Sequence, residues 1–265
     1  MSAYRSFDYR IEEGVGTVTF TRPDTLNSLT FEVYAELERL ARECQADESV
    51  RVLVLAGSGK AFCSGGDVHE IIGELFKRDV RGMLEFTRMT GAVVQNLRLL
   101  EKPVVASING IAAGAGAVLA LASDFRVLAD TARFAFLFTK VGLTGADMGA
   151  AFLLPKVVGL GRATELLMLG DTIDAPTAER FGLATRVVPA DRLAEETRAL
   201  ARRLAEGPGQ ALGMTKRMLN SEWAMDLVSA IEAEAQAQAL LLMAEDHKEF
   251  YRAFTAKRPP RFTGR

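Results

Sequence analysis

With 265 residues, 49% of them hydrophobic and 25% charged, the chain has enough apolar content to bury a sizeable core, which argues against disorder. A formal net charge of −2 argues against nucleic acid as the main partner. Two cysteines, Cys44 and Cys63, make no disulfide framework and fit a reducing compartment.

The first residues, from Met1 to Asp8, carry no apolar run behind their charges, so no signal peptide is expected. Residues 15–20 alternate as a half-buried strand does. Over 29–44, Leu29, Val33, Leu37, Leu40 and Cys44 recur at helical spacing, with Thr30 placed to cap the start. A buried strand at 52–55 leads to a glycine turn, Ala61-Phe62-Cys63-Ser64-Gly65-Gly66-Asp67. Helical stretches at 69–76 and 81–100 precede an apolar strand at 104–108. A second glycine turn follows, Asn109-Gly110-Ile111-Ala112-Ala113-Gly114-Ala115-Gly116, and opens an alanine-rich helix at 117–122. The apolar run at 103–123 is long enough for a membrane span, but Asn109 and its glycines fit a buried strand and turn better. Short strands at 125–129 and 133–136 come next. Strands separated by helices predict crossover connections and a largely parallel sheet. From Leu193 the pattern is helical, broken at Gly207-Pro208-Gly209 and Pro259-Pro260. A boundary near residue 200 separates an α/β core, 1–200, from a helical module, 201–265.

The two glycine turns carry the chemistry. Each closes a buried strand, and the second presents free N–H groups at the positive end of a helix, with no side chains in the way. Such groups stabilise an oxyanion, so the chain reads as built to polarise a carbonyl. Gly114-x-Gly116 fails the dinucleotide fingerprint because the third glycine falls at Leu119, and no phosphate-loop ending follows. The alternative use of these small residues is close helix–strand packing. His69 and His247 are too scattered to form a metal site, and none is expected; Cys63 reads as a small packed side chain. Asp147 lies in a loop of small residues, 141–152, that leads into an apolar helix. It reads either as a helix N-cap or, with its pKa raised by apolar neighbours, as a base toward a bound substrate.

In this order the motifs are similar to those of the crotonase, or enoyl-CoA hydratase/isomerase, superfamily. They are Arg22-Pro23 with Asn27-Ser28-Leu29, the turn 61–67, Lys102 to Ala106 through Asn109-Gly110, Gly182-Leu183-Ala184, and Lys257-Arg258-Pro259-Pro260-Arg261-Phe262. The resemblance covers nearly the whole chain. It implies an α/β fold, a crotonase-like spiral of ββα units with a C-terminal helical oligomerisation region, assembled as trimers or dimers of trimers. It also implies an acyl-CoA thioester as substrate, with coenzyme A as part of that substrate and no separate cofactor, and a cytoplasmic setting. The oxyanion hole would fall on the amides of Gly66 and Ala115. Ala61, Phe62, Ser64, Gly65, Asp67, Val68 and Gly114 would line the ligand, and Lys257 would approach the adenine end.

Hydratases of the family carry two glutamates, and the matching positions here are Val118 and Phe138. Neither transfers a proton, so the standard hydration chemistry is not expected; both would line and dry the acyl site. Asp147 falls where isomerases of the family place a functional aspartate, and the Asp147-Met148-Gly149 step and the Leu154-Pro155-Lys156-Val157 run resemble theirs. The leading expectation is a double-bond isomerase with Asp147 as base. The alternatives are Asp147 as a nucleophile in hydrolysis or dehalogenation, hydration through another acid such as Glu70 or Tyr251, and a catalytically silent acyl-CoA binder.

Overall fold

From the third strand to the eighth, successive strands alternate between two sheets. In the computed structural model, which describes residues 4–264, one sheet runs β1 (Phe7–Glu12), β2 (Val15–Phe20), β3 (Val52–Gly57), β5 (Val104–Ile108), β7 (Phe125–Ala129), β10 (Arg186–Val188). The other runs β4 (Ala61–Cys63), β6 (Ile111–Ala113), β8 (Arg133–Ala135), β9 (Thr172–Asp174). Only the β1–β2 and β8–β9 pairs are antiparallel. Helices α1 (Phe31–Ala46), α2 (Gly73–Leu75), α3 (Val80–Leu99), α4 (Ala115–Ala122), α5 (Ala150–Val158), α6 (Leu160–Leu169) and α7 (Ala175–Arg180) connect or flank the strands. Helices α8 (Leu193–Ala205), α9 (Gly209–Ser221), α10 (Leu227–Leu242) and α11 (Glu245–Thr255) follow. This is the expected spiral of ββα units. The reading of Met1–Ala3 lies outside the described residues.

The predicted parallel sheet has a direct cause. Strands β3 and β5 consist of Val, Leu, Ala and Ile apart from Gly57 and Ser107, because both of their faces are covered. Thr30 caps α1 as expected, its hydroxyl accepting from the Val33 N–H. At Gly110 a Cβ would lie 2.0 Å from the Lys60 carbonyl oxygen, so only glycine lets the chain leave β5 for β6 beside β4.

The differences from the sequence reading are local. Strand β1 was not anticipated, although Phe7, Tyr9 and Ile11 alternate with Asp8, Arg10 and Glu12; five of its six residues are partly or fully exposed. The two glycine turns contain β4 and β6, three residues each, too short to show a period. The helix expected at 69–76 opens instead as a π-helical turn, Val68–Ile72. A boundary at residue 200 falls inside α8, which packs on the large sheet through Leu193, Leu200, Ala201 and Ala205. The chain turns from α8 into α9 at Gly207-Pro208, and α9 still packs on the α/β part through buried Lys216, which donates to the Leu97 and Lys102 carbonyls. Among the described residues no single helix is long and apolar enough to cross a membrane; α10 and α11 together reach that length but are bent by 64°.

Candidate active site

The two glycine turns meet. A Cβ on Gly65 would lie 3.0 Å from the Ala113 carbonyl oxygen and 3.4 Å from the Ala115 nitrogen. Gly65 has φ +104°, and Gly114, the residue before α4, has φ +49°, both in the region that favours glycine. Ala115 is the first residue of α4, so its N–H is one of the orphan donors of a helix start. Among the described residues neither the Gly66 N–H nor the Ala115 N–H finds a protein acceptor. Two adjacent unpaired amides, one at a helix N-terminus, form a preorganised seat for a developing negative oxygen.

The turn at Gly66 is held from the 22–29 segment. Asn27 is buried in a left-handed conformation; its side-chain N–H₂ donates to the Ser58 and Ala61 carbonyls, and its Oδ1 accepts from the Arg22 N–H. The Ser64 N–H donates to the Leu26 carbonyl, the Leu29 N–H to the Gly65 carbonyl, and the Asp67 N–H to the Leu29 carbonyl. The Arg-Pro…Asn-Ser-Leu motif is therefore the brace of the oxyanion turn. Gly116 supplies the other constraint: a Cβ there would lie 2.2 Å from the Cys63 carbonyl oxygen. The close-packing use of this glycine and the oxyanion use of the turn hold together, since α4 must touch β4 for Ala115 to reach Gly65. Gly116→Ala is expected to destabilise the fold by about 1–3 kcal/mol, and to lower activity beyond what the lost stability explains. Chemical denaturation together with kinetics reads both.

Asp147 is not the cap of α5. The N-cap position belongs to Gly149, and no side chain caps the helix. The half-buried carboxyl of Asp147 is pushed above the usual aspartate range by desolvation, with a backbone hydrogen bond from Met148 pulling the other way. Its loop is pinned where Gly145 abuts the Leu167 backbone and Gly149 meets Val94 of α3. Met148 adopts φ +49°, a conformation that strains a non-glycine residue. The charge of Asp147 is felt at Tyr34 of α1, whose hydroxyl lies 3.9 Å from where a Gly66 Cβ would be. Tyr34 therefore lies beside the first glycine turn and within electrostatic reach of Asp147. Its helical spacing gave no sign of this, because a tyrosine on an apolar helix face reads as core.

The other expected site residues divide. Ala61 and Phe62 are buried, and the Phe62 ring packs edge-on against Phe20 at 5.7 Å, so its side chain belongs to the core and only its backbone borders the turn. Asp67 is consumed by structure. Its carboxylate accepts from the His69 and Glu70 N–H groups, the Ser28 hydroxyl and the Arg22 guanidinium, and these bonds hold its pKa down. Ser64 donates to the Thr25 carbonyl, while Val68 is exposed. Val118 has no exposed surface, so it is packed in α4 rather than lining an open cavity; Phe138 is 8% exposed. Lys257 is exposed beyond α11, and among the described residues no contact brings it to the oxyanion turns of its own protomer. The residues after it form a strap: Arg258 pairs with Glu249, and the Thr263 and Gly264 N–H groups donate to Asp246.

Glu70 pairs with Arg22 at 2.7 Å, and Tyr251 is exposed on α11. Cys63 is fully buried, with burial pushing its thiol up to about 12, and His69 and His247 are exposed. Among the described residues no cluster of three His, Cys, Asp or Glu side chains is placed to hold a metal. Clefts of about 300 and 580 Å³ open on either side of Arg51, away from the two turns, so chemistry rather than volume locates the site.

Residues 10–265 match the family model described as enoyl-CoA hydratase/isomerase. The chain is 38% identical to the 1,2-epoxyphenylacetyl-CoA isomerase of Escherichia coli K12, over 96% of this chain and 97% of that one. It is 35% identical to a probable enoyl-CoA hydratase of Rhodobacter capsulatus, over 99% and 100%. A solved structure from Streptomyces coelicolor A3(2), provisionally assigned as an enoyl-CoA hydratase, shares 55% identity with a TM-score of 0.98, covering 100% of this chain and 96% of that one.

Proposed function

The chain belongs to the enoyl-CoA hydratase/isomerase family, and from that premise we propose that it moves a double bond within an acyl-CoA thioester, with Asp147 carrying the proton. The observation that supports this most is a single half-buried carboxyl with a raised pKa in a chain that also presents two unpaired amides at its glycine turns. The amides of Gly66 and Ala115 hold the thioester oxygen. Asp147 removes a proton made acidic by that polarisation, the electrons delocalise into a dienolate, and the same carboxyl returns the proton to another carbon. Electrons and protons balance within the substrate, so the chemistry needs no cofactor beyond the coenzyme A that the substrate carries.

Hydration requires one group to take a proton from water and another to deliver one to carbon. Val118 and Phe138 supply neither, and both are buried apolar side chains. Mass spectrometry of 2-enoyl- and 3-enoyl-CoA esters in heavy water separates the outcomes. Double-bond migration with deuterium uptake is expected; addition of water to the product would overturn the reading. A covalent acyl-enzyme visible by intact mass would instead make Asp147 a nucleophile, and tight binding without turnover would make the chain a silent acyl-CoA binder.

The assembly belongs to the same proposal. Trp223, Leu227, Val228, Leu240, Met243 and Phe254 are each more than 60% exposed on the C-terminal helical region of one protomer. A trimer, or a dimer of trimers, covers such surface. Both cysteines are free and buried, which suits a cytoplasmic setting.

A further inference from the structure

Tyr34 has a polar atom that its own protein does not use. The residue is 2% exposed, and its ring packs edge-on against Phe86 of α3 at a centroid distance of 5.9 Å. Phenylalanine would make the same packing. Among the described residues no protein group bonds the hydroxyl, and it is not one of the polar atoms sealed from solvent, so the oxygen keeps an open side. It lies beside Gly66, 3.9 Å from where a Cβ would project. The Asp147 carboxyl is within electrostatic reach but is not bonded to it. A hydroxyl placed this way, beside an unpaired amide and with an open side, is available to a bound ligand.

We propose that the Tyr34 hydroxyl is a third donor of the oxyanion site, giving its hydrogen bond to the thioester oxygen of the bound acyl-CoA as that oxygen becomes an enolate. This rests on the reading of Gly66 and Ala115 as the other two donors. Burial, with the charges of Cys63 and Asp147 adding to it, raises the pKa of the phenol well above its usual value. The hydroxyl therefore stays protonated and donates throughout the range in which Asp147 is ionised. The neutral donor strengthens as its acceptor gains charge, so its effect falls on the reaction step more than on binding.

The test is Tyr34→Phe, which removes one oxygen and keeps the ring. A 10- to 100-fold loss in kcat is expected, with KM changed less than threefold and an unchanged melting curve; this is the range of a hydrogen bond to a charged acceptor. A structural role would not move the second readout, the infrared carbonyl stretch of ¹³C-labelled butyryl-, decanoyl- and phenylacetyl-CoA bound to the enzyme. These saturated or arylacetyl thioesters report polarisation without turnover over a double bond. The bound carbonyl is expected to shift down in the wild type and to recover part of that shift in Tyr34→Phe. If Tyr34→Phe melts early, 3-fluorotyrosine at position 34 replaces it, and its stronger donor is expected to deepen the shift. An unchanged carbonyl stretch in either variant would overturn the proposal and leave the isomerase reading intact. An unchanged stretch with a moved acid limb of the pH profile would make Tyr34 a positioning residue for Asp147, which also overturns it. If the wild type shifts the carbonyl of none of the three probes, the oxyanion reading itself fails and this proposal falls with it.

Discussion

Asp147→Asn is expected to remove double-bond migration and deuterium exchange together, by about 10²–10⁴-fold in kcat, while acyl-CoA binding persists. Asparagine keeps the size and polarity of the side chain and loses only the proton-accepting carboxylate. Isothermal titration with a saturated acyl-CoA and turnover in heavy water read the two properties separately. Exchange that survives the substitution would assign the base elsewhere. The pH dependence follows from the desolvation that raises the Asp147 pKa above its ordinary value. The base works ionised, so kcat/KM of the wild type is expected to fall as pH drops through that raised value, at a higher pH than an exposed aspartate would give. Stability runs the other way. A group with a raised folded pKa contributes its stability below the unfolded value, near 3.8, and loses it as pH rises through the folded value. At neutral pH the ionised carboxylate therefore works against the fold. Asp147→Asn is expected to melt higher than the wild type at pH 7, and the gap is expected to close below pH 4. A lower melting temperature for the variant at pH 7 would contradict the burial assigned to this group.

Ala115→Pro is expected to lower kcat by about 10²–10³-fold, the loss that follows removal of one oxyanion donor. The position allows a clean test. Ala115 opens α4, and proline is accepted at the first helical position because the N–H it lacks has no helical partner. Gly65, where a Cβ would lie 3.4 Å from the Ala115 nitrogen, has no side chain to crowd the added ring. The substitution thus deletes a donor with little change to helix or core, which circular dichroism verifies. The ¹³C carbonyl stretch of a bound saturated acyl-CoA is expected to move back toward its value in water. Full activity in Ala115→Pro would remove the amide from the reaction, and the helix N-terminus would then be an architectural feature alone.

The two turns were legible because glycine at close spacing after an apolar run has few other uses, and Asp147 stood out as a carboxyl among small and apolar residues. The identity of the motifs was legible too, but not their mechanics. Asn27 and Asp67 read as family signatures in the chain; in the fold they are a left-handed brace and a consumed cap. Phe62, near the start of the first turn, points into the core, because all of β4 is buried and the phenyl ring packs edge-on against Phe20 of the other sheet.

The sequence by itself determined the parallel layering, the helix predicted over 29–44 and found over 31–46 with its Thr30 cap, the two glycine turns and a carboxyl among small residues at Asp147. Each of these is written in residues close together along the chain, where periodicity, caps and glycine act over one or two turns of backbone. Only the tertiary structure decided that the two turns touch, that Asp147 leaves the capping of α5 to Gly149, and that Tyr34 brings a free hydroxyl to Gly66. Those facts depend on α1 packing against α3 and α4 against β4, contacts between segments dozens of residues apart, and no local pattern encodes which polar atom such packing leaves unpaired.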